Sequence, residues 1–331
     1  LQVYILLTQK CNLHCSMCIR GKQTGKDISF SAIKSITERG DFYEQDVILT
    51  GGEPTYYDKL TDVAKLISQS ANLVIVTTNG TNANAIKDLR EIKNLMVQVS
   101  LDGDQITHNN IRGSGTFERV KKTIDVLEKY DMAYTVASVV NKSNTHGVFC
   151  LGKMLEKQPK MKYWSVSYEM PFGSSGIDKL MTAAEWNNFV DNLIDNVRVR
   201  IKIKKLFPLD LYEKHLDIIS RIPLKERSFN CGSGKDKIYV YPDLSVYPCT
   251  CLEDFCVGNL DNQSLKQILE GDMIKVFQNY TVNPGTICSS CSYLDLCRGG
   301  CIGMSVHYAG GLGNGDIRCP YMKTNSNKEC E

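Results

Sequence analysis

Short runs rich in β-branched residues recur through the first half of the chain, each followed by a segment of helical periodicity. Residues 3–8, 47–50, 73–77, 95–101, 134–140 and 164–168 read as strands, bounded by turn-forming residues. Between them, residues 31–39, 59–70, 84–90, 116–129 and 148–157 place apolar side chains at helical spacing. A strand that returns through a helix re-enters the sheet parallel to its predecessor. Six such units predict an α/β fold, a partial (β/α)6 TIM-like barrel. Chemistry in such barrels gathers at the C-terminal ends of the strands, and the motifs below follow strands. A further helix is expected over 178–196 and another over 209–221.

Cysteine usage is the second constraint. Of 14 cysteines in 331 residues, three fall at Cys11, Cys15 and Cys18, ten between Cys231 and Cys330, and one at Cys150. Spacings of two or three residues suit metal ligation better than disulfide geometry. With no export signal legible, a reducing, cytoplasmic setting is expected. The formal charge of +2 calls for no nucleic acid, and no apolar run is long enough for a bilayer.

Cys11-x3-Cys15-x2-Cys18 follows the first predicted strand. Three thiolates on one loop can hold an iron–sulfur cube with one iron open, as a catalytic site needs. Zinc fits less well, because His14 inside the triad could reach the same ion only under strain. This spacing resembles the signature of the radical S-adenosylmethionine (SAM) superfamily. The resemblance implies a [4Fe–4S] cluster whose open iron chelates SAM, and cleavage to a 5′-deoxyadenosyl radical. It makes Cys11, Cys15 and Cys18 the catalytic cluster ligands. Met17 stands where that family usually has an aromatic residue against the adenine, and a thioether can pack on a π-face.

Three further segments match in order. Gly51, Gly52 and Glu53 resemble the "GGE" motif that receives the SAM ammonium. Thr78 and Asn79 fit the same rim, and Ser100 and Asp102 resemble the ribose-contacting segment. Arg112 is a candidate for the SAM carboxylate, with Arg119 competing.

The later cysteines resemble the SPASM extension of these enzymes, a small cysteine-rich domain that typically binds two auxiliary [4Fe–4S] clusters. Residues 1–205 are then the barrel, 206–227 a bridge and 228–331 the SPASM domain. The resemblance implies that Cys288, Cys291, Cys297 and Cys319 ligate the farther cluster, and Cys231, Cys249 and Cys301 the nearer. Cys251 and Cys256 are the local candidates for its fourth ligand, and without either an iron stays open. Cys150 and Cys330 read as free thiols.

SPASM relatives commonly modify peptides or proteins, so a ribosomally made peptide is the expected substrate, with flavodoxin or ferredoxin as electron donor. Thr250 stands where anaerobic sulfatase maturases carry an Asp base, which argues against that activity. Small-molecule chemistry, such as haem biosynthesis, is the alternative, and a non-enzymatic iron–sulfur carrier the third. No leader-gripping winged-helix module is legible, so a separate partner protein, a trimmed module or the barrel itself would serve. Arg198, Arg200, Lys202 and Lys204 alternate along 198–204, as an edge strand protected by charge or as a docking face for an acidic peptide. Tyr168 and Glu169 are proton-transfer candidates.

Overall fold

The computed structural model describes residues 1–21, 25–204 and 231–323. The strands are β1 (Gln2–Thr8), β2 (Asp46–Gly51), β3 (Leu73–Thr78), β4 (Leu95–Ser100), β5 (Tyr134–Val140), β6 (Met161–Tyr168), β7 (Ile201–Lys204), β8 (Lys237–Val240), β9 (Ser245–Tyr247) and β10 (Gly258–Asn259). They form one sheet in the order β10-β9-β8-β1-β2-β3-β4-β5-β6-β7, parallel from β8 through to β7. The helices before the cysteine-rich region are α1 (Phe30–Glu38), α2 (Leu60–Ser68), α3 (Ala83–Lys87), α4 (Gln105–Arg112), α5 (Thr116–Lys129), α6 (Thr145–Leu155) and α7 (Ala183–Asn196).

Alternation along each strand separates two faces. Val3, Ile5, Val47, Leu49, Val74, Val76, Val97 and Val99 are fully buried in one core with Ile33, Val63, Ile67, Val120 and Leu127 of the helices. The opposite face carries Thr50, Thr77, Ser100 and Ser167, which line an inner cavity. Small polar residues on this face leave the lumen room for a ligand.

The sheet runs past the six expected strands on both sides. On one, β8 from the cysteine-rich region pairs with β1, Gln2 opposite Lys237 and Tyr4 opposite Tyr239, with the two tyrosine rings 4.6 Å apart. On the other, β7 pairs in parallel with β6. Ile201 and Ile203 turn toward the helix-covered core, while Lys202 Nζ lies 3.8 Å from the centroid of the Tyr163 ring on the other face. Lys202 thus lies on the face opposite that core and is exposed, as is Arg200, and β7 is the terminal strand of the sheet. Arg198 departs from that row, because its Nη1 donates to Ile194 O at the end of α7.

Helix α7 begins at Ala183 and not at 178, because Thr182 and Glu185 form a reciprocal capping box. Helix α4 was not expected. It has only eight residues, one of its two isoleucines, Ile106, is exposed, and its start rests on the Asp104 side chain accepting from Thr107 N. The helix expected over 209–221, the bridge 206–227, residues 228–230, the Lys204 side chain and Cys330 lie outside the described residues.

Beyond β8 come α8 (Leu265–Glu270), α9 (Asp272–Gln278), α10 (Leu294–Cys297) and α11 (Ile302–Tyr308). Arg39 Nη2 donates to Leu260 O and Gln263 O at 2.8 and 2.9 Å, and Leu265 N donates to Asp41 Oδ1. These bonds tie the cysteine-rich region to the end of α1. Among the described residues no helix is long and apolar enough to cross a membrane.

Candidate active site

The loop leaving β1 carries Cys11, Cys15 and Cys18, and all three line a cavity of about 320 Å³ at the C-terminal ends of the strands. Leu13 N donates to Cys11 Sγ at 3.4 Å, and Asn79 Nδ2 reaches the same sulfur at 3.9 Å. Burial pushes the Cys11 and Cys15 thiols up, and for Cys15 the nearby Arg112 cation opposes that shift. His14 is exposed and does not line the cavity. No three His, Cys, Asp or Glu among the described residues gather as they would around a single ion. Three thiols on one wall of a roomy cavity suit the separate corners of an iron–sulfur cube.

Gly51 and Gly52 are required by the loop itself. A Cβ on Gly51 would sit 2.2 Å from Thr8 O, and one on Gly52 would sit 2.2 Å from Lys10 O. Gly52 N donates to Thr8 O and Glu53 N to Lys10 O, at 2.7 and 2.8 Å, so this segment holds the chain entering Cys11. Gly52→Ala should lower stability by about 2 kcal/mol or more, read by denaturant unfolding, because backbone and not a flexible side chain must yield.

Glu53 is 1 % exposed and lines the cavity. Its Oε1 accepts from Thr55 N, Thr55 Oγ1 and Thr78 Oγ1, and Oε2 accepts from Asn79 N at 2.6 Å. Burial raises its pKa against these four donors, and no described Lys or Arg forms an ion pair with it. Oε2 keeps a lone pair for a cation in the cavity.

Ser100, Met17, Thr78, Asn79 and Arg112 also line the cavity. Asp102 does not. It is fully buried, its Oδ1 accepts from Val139 N at 2.8 Å, and its Oδ2 accepts from Arg112 Nε. Its place is behind the arginine, off the cavity wall where the ribose contact was expected. Gly113, at φ +111°, ends α4 directly after Arg112. Arg119 is exposed on α5 and does not reach the cavity.

His108 Nδ1 accepts from Asp102 N at 3.1 Å, and the ring is fully buried. Burial drops its pKa from 6.5 to about 4. The folded value lies below the unfolded one, so stability present above pH 6.5 is lost as pH falls toward 4. At 1.36 kcal/mol per pH unit this amounts to roughly 3 kcal/mol at most. Denaturant unfolding between pH 7 and 4.5 should show that slope in the wild type and a shallower one in His108→Asn.

At the end of β6, Tyr168 lines the cavity but donates its hydroxyl to Met181 O. Glu169 is 2 % exposed, lies off the cavity, and accepts from Asn141 Nδ2 and Ser175 Oγ. Neither side chain is thus presented as a free proton carrier. Arg20, Ser167 and Met170 line the cavity and were not foreseen. Only Arg20, two residues past Cys18, carried a usable signal: a cation beside a cluster loop.

Among the later cysteines, Cys231 and Cys249 both face Lys237, and Cys251 N donates to Cys249 Sγ at 3.4 Å. Cys251 is buried, whereas Cys256 is exposed and donates to Gly258 O. Cys288, Cys291, Cys297 and Cys319 share a second neighbourhood, in which Cys319 raises the pKa of Cys288 and Cys297, and Cys291 that of Cys288 and Cys319. Burial, with Cys319 and Asp316 adding negative charge, pushes Cys297 up to about 12. Cys301 N donates to Asp316 Oδ2, and Arg318 pairs with the same carboxylate while its Nη1 reaches Met170 Sδ at 2.8 Å.

The family model of the radical SAM superfamily matches residues 5–145 of the chain, and that of an iron–sulfur cluster-binding domain, SPASM, matches residues 231–292. The expected ligands Cys297, Cys301 and Cys319 lie beyond that second match. The chain is 23% identical to a cysteine-type anaerobic sulfatase-maturating enzyme of Clostridium novyi, over 89% of the chain and 85% of that protein. It is 24% identical to an AdoMet-dependent heme synthase of Methanosarcina barkeri, over 88% of each. Streptococcus suis SuiB bound to S-adenosylmethionine superposes with a TM-score of 0.77 at 16% identity, over 97% of the chain and 77% of SuiB.

Proposed function

The chain belongs to the radical SAM superfamily and carries a SPASM domain, and from that premise we propose that it modifies a ribosomally made peptide or protein. In this reading Cys11, Cys15 and Cys18 hold the SAM-binding [4Fe–4S] cluster. When bound there, SAM supplies on one-electron reduction a carbon radical strong enough to abstract hydrogen from an unactivated position. The chain's own residues do the rest by placement. Glu53 Oε2 offers a site to the SAM ammonium, and Arg112, steered by Asp102, offers a cation to its carboxylate. Met17, Leu13 and Met170 give the cavity apolar walls that limit water.

Two auxiliary clusters complete the proposed inventory of three. Cys231, Cys249 and Cys301 serve the nearer, with Cys251, buried and with its side chain bonded to Cys249, favoured as the fourth ligand over the exposed Cys256. Cys288, Cys291, Cys297 and Cys319 serve the farther. The domain division at 205 and 228, a cytoplasmic setting, a flavodoxin or ferredoxin donor and a separate leader-binding protein belong to the same proposal.

The observation that carries the peptide reading is the exposed basic terminal strand β7, with Lys202 over Tyr163 beside Arg200. An exposed, cationic terminal strand with an aromatic ring beside it suits an acidic peptide segment. The named activity of the Clostridium novyi relative supports it, although Thr250 in place of an Asp argues against sulfatase maturation. The Methanosarcina barkeri relative favours a second reading, haem-type small-molecule chemistry.

Anaerobically reconstituted protein with SAM and dithionite decides between them. A precursor peptide encoded beside the gene should lose two hydrogens or gain a crosslink, with stoichiometric 5′-deoxyadenosine. Conversion of iron-coproporphyrin with the peptide unchanged would move the protein to the small-molecule class. No 5′-deoxyadenosine with any substrate would end both readings.

A further inference from the structure

Arg20 closes the cavity from the side of the cysteine-rich region. Its Nη1 donates to Thr250 Oγ1 at 3.0 Å and to Tyr241 Oη at 3.2 Å, and its guanidinium carbon lies 4.8 Å from the centre of the Tyr241 ring. Tyr241, 9 % exposed, in turn donates to Glu253. One nitrogen and one face of the guanidinium are thus anchored to residues that follow β8. Nε–H and the Nη2 protons have no acceptor among the described residues, and Arg20 forms no ion pair there, yet the residue lines the cavity.

The cavity's other arginine is differently placed. Arg112 stands at the β4 side and is neutralised by Asp102. Arg20 stands toward β8, where its direct partners are two hydroxyls and a ring, and the Glu253 carboxylate reaches it only through Tyr241. A guanidinium anchored at one nitrogen, with donors left over, is pre-organised for a carboxylate.

We propose that Arg20 is a substrate-binding residue that takes a carboxylate of the molecule being modified, an Asp or Glu side chain if that molecule is a peptide. The inference deepens the reading above and rests on it only for the word peptide. The position next to Cys249, where Thr250 replaces an acid, then serves recognition: its hydroxyl holds the arginine.

Arginine modification of the reconstituted, SAM-loaded protein by phenylglyoxal, followed at Arg20 by peptide mass spectrometry, tests this without turnover. N-acetyl-glutamate α-methylamide and a C-terminally amidated glutamyl pentapeptide should slow modification of Arg20 by about tenfold, and their glutamine counterparts should not. Protection by coproporphyrin III, a polycarboxylate, without protection by the glutamyl probes would keep the carboxylate site and overturn the peptide reading alone. Equal effects of acid and amide probes would overturn the proposal. So would complete protection by SAM with about a tenfold loss of SAM affinity in Arg20→Gln, since Arg20 would then serve SAM. SAM affinity of Arg20→Gln within about threefold of wild type is the expected result.

Discussion

Alanine at Cys11, Cys15 and Cys18 together is expected to abolish reductive cleavage of SAM, at least about a thousandfold below wild type. The three thiols share one loop and one cavity wall, and no other described cysteine lines that cavity. Losing them removes every side chain able to hold a cluster there, while Cys288, Cys291, Cys297 and Cys319 keep their own neighbourhood. Iron content of the reconstituted triple variant should fall by about four atoms per chain and not to zero. Two measurements check this, 5′-deoxyadenosine formation and iron per chain. Wild-type cleavage by the triple variant would remove the triad from the chemistry.

The second large effect is expected at Asp102. Its carboxylate is fully buried and is the only described anion paired with Arg112, whose side chain is 13 % exposed. Asp102→Ala strands that cation and also frees Val139 N, which donates to Oδ1. Removing one partner of a buried ion pair costs about 3–5 kcal/mol, mostly for the charge left behind. Unfolding free energy should drop by that amount, and SAM binding should weaken by about tenfold as Arg112 loses its orientation. The double variant Asp102→Ala/Arg112→Met separates the roles. Stability should largely return, because no lone charge remains buried, while SAM binding stays weak. Full recovery of SAM binding would show that Arg112 does not serve it.

Local pattern carried much of this site. Cys11, Cys15 and Cys18, with Gly51, Gly52 and Glu53, are legible because each group is contiguous and sits at a strand end, where a parallel sheet must display it. The glycines were legible for an incomplete reason, since what excludes a Cβ is the backbone of Thr8 and Lys10. Helix α4 escaped because eight residues with one exposed isoleucine give no periodicity to read, and with it went the pairing of Arg112 with Asp102. The side on which the basic face of β7 lies escaped for a related reason. Alternation shows that Arg200 and Lys202 share a face, but which way that face points depends on β6 pairing and on Ile201 and Ile203 finding the core.

What the sequence determined by itself was everything carried by short-range spacing: repeated strand and helix periods, the cysteine triad and the strand-end motifs. Backbone geometry makes such patterns self-sufficient, because two or three residues decide what a turn can present. Only the tertiary structure decided which charges meet. Arg20 and Thr250, 230 residues apart, come together because β8 pairs beside β1 and carries the cysteine-rich region over the cavity. Such contacts depend on chain closure over long separations, and no local pattern encodes them.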